Sequence, residues 1–280
     1  MKLSIITVNL NNRDGLQKTI DSVVSQTFKD FEWIVIDGGS ADGSKELLEQ
    51  YADHFAYWVS EPDKGIYNAM NKGIHAAQGE YLQFLNSGDY LRETNTLDKV
   101  FSDFPNGDII YGNLTLLENG EEKENRRYPD KPSFYELYLR SLPHPSTFIK
   151  TSLLKNCPYD ERLRIAADWK FFLKMALESR DFRHIPMFVS CFDQSGISST
   201  NMNLLRSERD LITAEIVPPS ILNDIFMMSE INNQQSDVQI KKLITLRGKS
   251  KFYHKAVTSF INCMNTIDAI MCHGKKNDEY

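Results

Sequence analysis

The sequence predicts an α/β fold: a mainly parallel sheet with flanking helices, followed by a helical C-terminal extension. Three observations carry this. Apolar, β-branched runs alternate with amphipathic helical stretches over the first 112 residues, which is the signature of βαβ units. The chain has 280 residues, 41% of them hydrophobic and 25% charged, enough for one large domain or one domain plus an appendage. From about residue 202 onward the periodicity is helical throughout.

The first strand is LSIITV (3–8), and a helix follows over 14–27. FEWIVID (31–37) is the second strand and 43–53 its helix; FAYWVS (55–60) is the third, with a helix over 65–78. YLQFL (81–85) and a helix over 94–103 lead to a fifth strand, DIIYG (108–112). Right-handed crossovers place the carboxyl ends of such strands on one edge. Beyond 112, NLTLLENGEEKENRRY reads as two strands joined by a turn at Asn119-Gly120, a strong hairpin signal. A helix over 132–141, the stretch HPSTFIK, a strongly periodic helix at ADWKFFLKMALES and a strand at HIPMFVSCFD complete this part. The expected organisation is residues 1–112 as one half of a domain, 113–205 as its other half, and 206–280 as the helical extension.

A net charge of −6 argues against nucleic acid as a partner, because phosphate contacts need a basic surface. The four cysteines, Cys157, Cys191, Cys263 and Cys272, form no CxxC pair and read as reduced thiols of a cytosolic protein. The apolar run in MKLSIITVNLNN is too short for a signal peptide, and no uncharged run approaches a membrane span. A soluble or peripheral protein is expected.

The chemistry gathers at the strand ends. The first strand ends in Asn9-Leu10-Asn11-Asn12, the second in DGGSADGS with Asp37 and Asp42, the third in Glu61-Pro62-Asp63-Lys64, and the fourth at Asn86 and Asp89. Turns favour these residues in any case. Four such ends in succession on one sheet edge favour a shared crevice, where open α/β sheets bind ligands. A dinucleotide site needs G-x-G-x-x-G after the first strand, and VNLNNRDG does not supply it; the Walker pattern is also absent. Carboxylates repel a diphosphate unless a divalent cation stands between them, and hard oxygen ligands suit Mg²⁺ or Mn²⁺. The edge therefore points to a metal-bridged nucleotide diphosphate.

Ordered motifs sharpen this reading: SIITVNLNN, SVVSQTFKDFEWIVIDGGSADGS, SEPDKGIYNAMNKGIHAAQGEYLQFLNSGD, DIIYGN, HPSTFI, AADWKFFLKM and GISST. Over about residues 1–210 the chain resembles the family 2 inverting glycosyltransferases of the GT-A fold, a Rossmann-like sheet with flanking helices, and especially the bacterial polysaccharide and O-antigen branch. The resemblance implies a sugar moved from a nucleotide-diphosphate donor, a UDP-sugar, to a glycan or polyprenyl-diphosphate-linked acceptor, with Mn²⁺ or Mg²⁺ as cofactor and a cytoplasmic setting at the inner face of the plasma membrane.

On the resemblance, Asp89 is the metal ligand, the surviving acid of a motif that usually reads D-x-D-D and here reads Asn86-Ser87-Gly88-Asp89. Donor-binding positions are Val8, Asn9, Asn11, Asp37, Gly38, Ser40, Asp42, Asp63, Lys64, Asn68, Asn86, Ser87 and Gly88. Gly38 replaces the second acid of the family's nucleotide loop, and Leu10 stands where an aromatic residue is common. Asp168 matches the catalytic base, which an inverting displacement needs to take the acceptor proton. Tyr111, His144, Trp169, Ser198 and Arg206 fall on the acceptor and phosphate side, with Gly196, Ile197 and Glu208 in the same closing loop.

Plainer readings compete. Asp168 is equally placed to be a helix N-cap, Asp63-Lys64 a helix-start turn, and Trp169 with Phe172, Leu173 and Ala176 a core stripe. The basic stretch 241–255 is either a solvated face or an electrostatic attachment to anionic lipid, at ~1 kcal/mol per basic residue. A non-catalytic nucleotide- or glycan-binding relative with a decayed metal motif is the alternative to an enzyme. A nucleotidyltransferase would need a basic glycine-rich loop that the sequence lacks.

Overall fold

The computed structural model describes residues 1–236 except Phe104, Asn119 and 194–200. The early elements follow the expected alternation: β1 (Leu3–Asn9), α1 (Arg13–Val24), β2 (Phe31–Asp37), α2 (Ser44–Gln50), β3 (Tyr57–Ser60), α3 (Ile66–Ala76), β4 (Tyr81–Phe84), β5 (Tyr90–Leu91) and α4 (Thr96–Ser102). Then come β6 (Ile109–Glu118), β7 (Glu121–Arg126), α5 (Phe134–Leu139), β8 (Thr147–Lys150), α6 (Thr151–Asn156), α7 (Ala167–Leu177), β9 (Phe182–Asp193), α8 (Met202–Ile216) and α9 (Pro219–Ser236).

Among the described residues one sheet runs in the order β3-β2-β1-β4-β8-β6-β9-β5, with β7 paired to β6. β1 to β4 are mutually parallel, and β6 is parallel to β9. β8 lies antiparallel between β4 and β6, which makes the sheet mixed. The fold is GT-A-like: a mixed sheet flanked by helices. Every residue of β1 is buried, as a central strand covered on both faces requires. Trp33, Val35, Leu3, Ile5, Leu16 and Ile20 pack together in the core between sheet and helices.

Two details differ from the sequence reading. The fifth strand does not stop at residue 112: β6 continues to Glu118, so the strand end and the first arm of the hairpin are one element. HPSTFIK carries the inserted strand β8, too short to announce itself by periodicity. The described residues fall into two compact units, Met1–Ile216 and a second that begins at Val217 and holds α9. α8 runs through the position, 205/206, at which the sequence division sets its extension apart. No helix among the described residues is long and apolar enough to cross a membrane. Ser198, the basic stretch 241–255, Cys263 and Cys272 lie outside the described residues; Cys157 and Cys191 are free thiols, the latter buried.

Candidate active site

Strand register assembles the first wall. Asn9, Asp37 and Ser60 end β1, β2 and β3 side by side. Asp37 is fully buried and accepts hydrogen bonds from Asn9 Nδ2 (2.7 Å), Ser40 Oγ (2.6 Å), Ser60 Oγ (2.7 Å) and the N–H groups of Gly39 and Ser40 (3.2 and 2.9 Å). Burial pushes its carboxyl up, but the bonds from Ser40, Ser60 and Asn9 outweigh that and hold it below the usual carboxylate range. Asp37 therefore fastens three strand ends together and has no oxygen to spare.

Its neighbours play similar parts. Ser40 Oγ also accepts the Asn11 N–H (2.7 Å), and Asn11, at φ 48°, takes the Ala41 N–H on its Oδ1 (2.9 Å). Exposed Asp42 accepts the N–H groups of Arg13 (2.8 Å) and Ser44 (3.1 Å), and opens α2. These four expected donor residues shape the loops without lining the crevice.

The crevice has a volume of about 860 Å³. Val8, Asn9 and Leu10 line it from the end of β1, Asp63 and Lys64 from the turn into α3, and Asn86, Ser87 and Asp89 from the turn after β4. His144, Asp168, Asp193 and the loop from Glu161 to Ile165 complete it. Of the edge acids, Asp63 and Asp89 meet in this crevice, whereas Asp37 and Asp42 do not line it.

Asp89 is 5% exposed. Gly88, at φ 103°, makes the tight turn before it, and Thr19 Oγ1 braces that turn by donating to the Asp89 carbonyl (2.7 Å) and accepting the Gly88 N–H (3.1 Å). Burial pushes the Asp89 carboxyl well above the usual range; the backbone N–H of Asp193, which it accepts, opposes that shift, and the Asp193 charge adds to it. Asn86 Oδ1, on the same turn, is buried without a hydrogen-bond partner. A desolvated carboxylate beside a second one and an orphaned oxygen suit a hard divalent cation. No group of three or more His, Cys, Asp or Glu side chains gathers for a metal among the described residues, so such an ion would draw its other oxygens from a ligand and water.

Asp168 lies in the first turn of α7, but the cap position is Ala166 and no side chain caps there. Its Oδ1 instead accepts the hydroxyl of buried Tyr67 (3.0 Å). The loop before it is held by Glu208 of α8, 7% exposed, which accepts the N–H groups of Arg164 (2.6 Å), Ile165 (2.9 Å) and Ala166 (3.0 Å). Glu208 thus binds backbone, not phosphate. α3 sews the two halves of the site together: besides Tyr67, its Asn68 donates to Glu161 Oε2 (2.9 Å), and Asn71 to Glu161 Oε1 and the Tyr159 carbonyl (both 2.9 Å). His144 stacks on Phe84 (4.8 Å) and meets the Tyr159 hydroxyl at Nε2 (2.9 Å); burial pulls its pKa down.

Other expected residues lie elsewhere. Tyr111 is fully buried and donates to the Pro129 carbonyl (2.6 Å). Trp169 is 2% exposed, donates to the Leu137 carbonyl (2.8 Å) and has the Arg209 guanidinium 4.6 Å from its ring. Both belong to the core, so neither faces a sugar. Asn68 is spent between Glu161 and the Lys64 N–H. Arg206 is exposed on α8 and does not line the crevice.

Asp193, Tyr67 and Glu161 were not singled out by sequence. Asp193 was findable, since it too ends a strand on the same edge. Tyr67 was not, because GIYNAMNKG reads as an ordinary amphipathic helix whose apolar face is core.

Residues 4–159 match the family described as glycosyl transferase family 2. The chain belongs to that family. This glycosyltransferase is 34% identical over 208 residues to an uncharacterized glycosyltransferase of Mycobacterium tuberculosis, covering 70% of this chain and 77% of that one. It is 31% identical over 208 residues to a PGL/p-HBAD biosynthesis glycosyltransferase of Mycobacterium bovis, covering 70% and 79%. Among solved structures it resembles Staphylococcus aureus TarS 1–349 in complex with UDP-GlcNAc (TM-score 0.60, 19% identity, 94% of this chain and 83% of that one). It also resembles the mannosyltransferase PcManGT of Pyrobaculum calidifontis in complex with GDP-Man and Mn²⁺ (TM-score 0.54, 14% identity, 92% and 83%). At these identities the structural likeness speaks for the fold.

Proposed function

We propose that this transferase moves a hexosyl or N-acetylhexosaminyl group, with inversion, from a UDP-sugar to a hydroxyl of a glycan or polyprenyl-diphosphate-linked glycan in surface-polysaccharide synthesis. The observation that carries the reading is the meeting, in one crevice, of the Asp89–Asp193 pair with an Asp168 carboxylate that caps nothing and is held by Tyr67. The nucleotide sugars bound by TarS and PcManGT, and the Mn²⁺ of the latter, support the donor class and the cation.

A Mn²⁺ or Mg²⁺ held by Asp89, with Asp193 beside it, would offset the charge that builds on the departing diphosphate. Asp168 takes the acceptor proton as the hydroxyl oxygen attacks the anomeric carbon on the face opposite the diphosphate. Tyr67 occupies Oδ1 and so leaves Oδ2 as the proton acceptor. Asn9, whose Oδ1 is buried without a partner, offers an acceptor to the donor from the end of β1. The acceptor's lipid sets the enzyme at the inner face of the membrane, with the basic stretch 241–255 as the contact; liposome co-sedimentation without lipid dependence removes that part. Calorimetric titration of UDP with Mn²⁺, then with EDTA, and with Asp89→Ala tests the core of the reading. Cation-dependent binding lost in the variant supports it, and UDP binding indifferent to both overturns the cation's role.

A further inference from the structure

Five carboxylates line the crevice against three lysine or arginine side chains, Lys64, Arg162 and Arg164. A second anion enters such a field only where a fixed positive group receives it. Arg162 is already spent: its Nε and Nη2 donate to Asp160 (2.9 and 2.6 Å), and Nη2 also reaches Glu215 (3.5 Å). Lys64 belongs to the donor wall, at the turn into α3. Arg164 stands on the other side, four residues before Asp168, and its side chain makes no hydrogen bond or ion pair among the described residues.

The backbone beneath Arg164 is fixed. Its N–H donates to Glu208 Oε1 (2.6 Å), and those of Ile165 and Ala166 follow onto Oε2 (2.9 and 3.0 Å). Leu163 and Ile165 on either side are buried, 4% and 6% exposed, while Arg164 between them is exposed. Two neighbours turned into the core hold the intervening guanidinium out toward the crevice. A side chain rooted this firmly gives up less freedom when it binds.

We infer that Arg164 is an anion subsite for the acceptor, taking a phosphate that the acceptor carries near its reacting hydroxyl. The inference rests on the transferase reading above. In an inverting displacement the donor's diphosphate leaves from the face opposite the attacking hydroxyl, so a phosphate on the acceptor lies on the base side and must be met there. Arginine suits it, because its planar fork grips two phosphate oxygens at once. Four residues span at most about 14 Å, which keeps the anion within a few sugar rings of the hydroxyl that Asp168 deprotonates. The acceptor is then a short glycan near its phosphate root, not the far end of a long neutral chain.

The test is calorimetric titration of geranyl phosphate and of inorganic phosphate into the full chain, with and without saturating UDP and Mg²⁺. Wild type should bind geranyl phosphate with UDP in place. Arg164→Gln should weaken that binding by about tenfold or more, the size of one hydrogen bond to a charged group, and Arg164→Lys by less. UDP affinity and melting curves should be unchanged in both variants. Inorganic phosphate bound as tightly as geranyl phosphate supports the subsite and shows that the phosphate alone is read. A wild type that binds neither probe overturns the inference, as does equal binding by Arg164→Gln. An equal loss of UDP affinity in Arg164→Gln also overturns it, by placing the arginine on the donor. Failure of UDP to bind at all removes the transferase reading, while the titrations without nucleotide still report on Arg164.

Discussion

Glu208→Ala probes how the base is held, at a site that touches no substrate. The carboxylate is 7% exposed and receives three backbone N–H groups at 2.6, 2.9 and 3.0 Å. Hydrogen bonds to a charged group are worth about 1.5–3 kcal/mol each, but the three share one carboxylate and water can refill part of the gap left by alanine. A loss of about 3–5 kcal/mol follows, similar to breaking a buried charged interaction. For a unit of this size each kcal/mol moves Tm by about 2–4 °C, so the melting point should fall by about 6–20 °C. Glu208→Gln can keep the two bonds to Ile165 and Ala166 while its amide faces Arg164, and should cost roughly half as much. Urea unfolding followed by circular dichroism reads the difference. UDP affinity should change little, because the donor wall is built from β1 to β4. An alanine variant within about 0.5 kcal/mol of wild type would show that Glu208 does not hold the base loop.

Three more outcomes follow from the site. Asp89→Asn should abolish cation-dependent UDP binding yet raise the melting point in EDTA at neutral pH: a carboxyl whose folded pKa is raised contributes stability below the usual carboxylate range and loses it as pH rises through the raised value. Calorimetric melts from pH 4 to 8 check both the sign and its disappearance in the variant, and Mn²⁺ affinity should fall as pH is lowered, because proton and cation compete for one carboxylate. Tyr67→Phe should lower kcat about fivefold to tenfold with donor affinity unchanged, and a variant with wild-type kcat would show that the Tyr67 hydroxyl does not orient Asp168. His144 has a folded pKa lowered by burial, so its contribution is lost as pH falls below about 6.5; His144→Gln should flatten that decline in melting curves between about pH 7 and 5.

The donor half was legible because both of its signals are local. Continuous apolar runs and period-3.6 patterns mark β1 to β4 and their helices, and the crossover rule then puts Asn9, Asp63, Asn86 and Asp89 on one edge without any tertiary information. What pattern cannot say is which acids at that edge are already satisfied. Asp37 and Asp63 look alike in sequence, yet strand register surrounds the first with donors, while the second, in the turn into α3, accepts only the Gly65 N–H among the described residues. Trp169 and Tyr111 read as aromatic residues near a site, but each side chain is turned into the core by a partner far along the chain, Leu137 in one case and Pro129 in the other. Glu208 shows the same limit from the other side: the resemblance sets it in a loop over the donor phosphates, and only the fold reveals the distant backbone that it holds.

That distance has a bearing on where the polypeptide can be cut. The three N–H groups that Glu208 receives lie 42 to 44 residues earlier in the chain. A ribosome that has released everything through β9 has therefore delivered the whole donor wall and the base itself, but not the residue that steadies the base. A fragment ending short of α8 would behave as a nucleotide receptor whose base loop is unmoored, with Tyr67 alone left to hold the carboxylate, and one carried through Ile216 would restore that anchor.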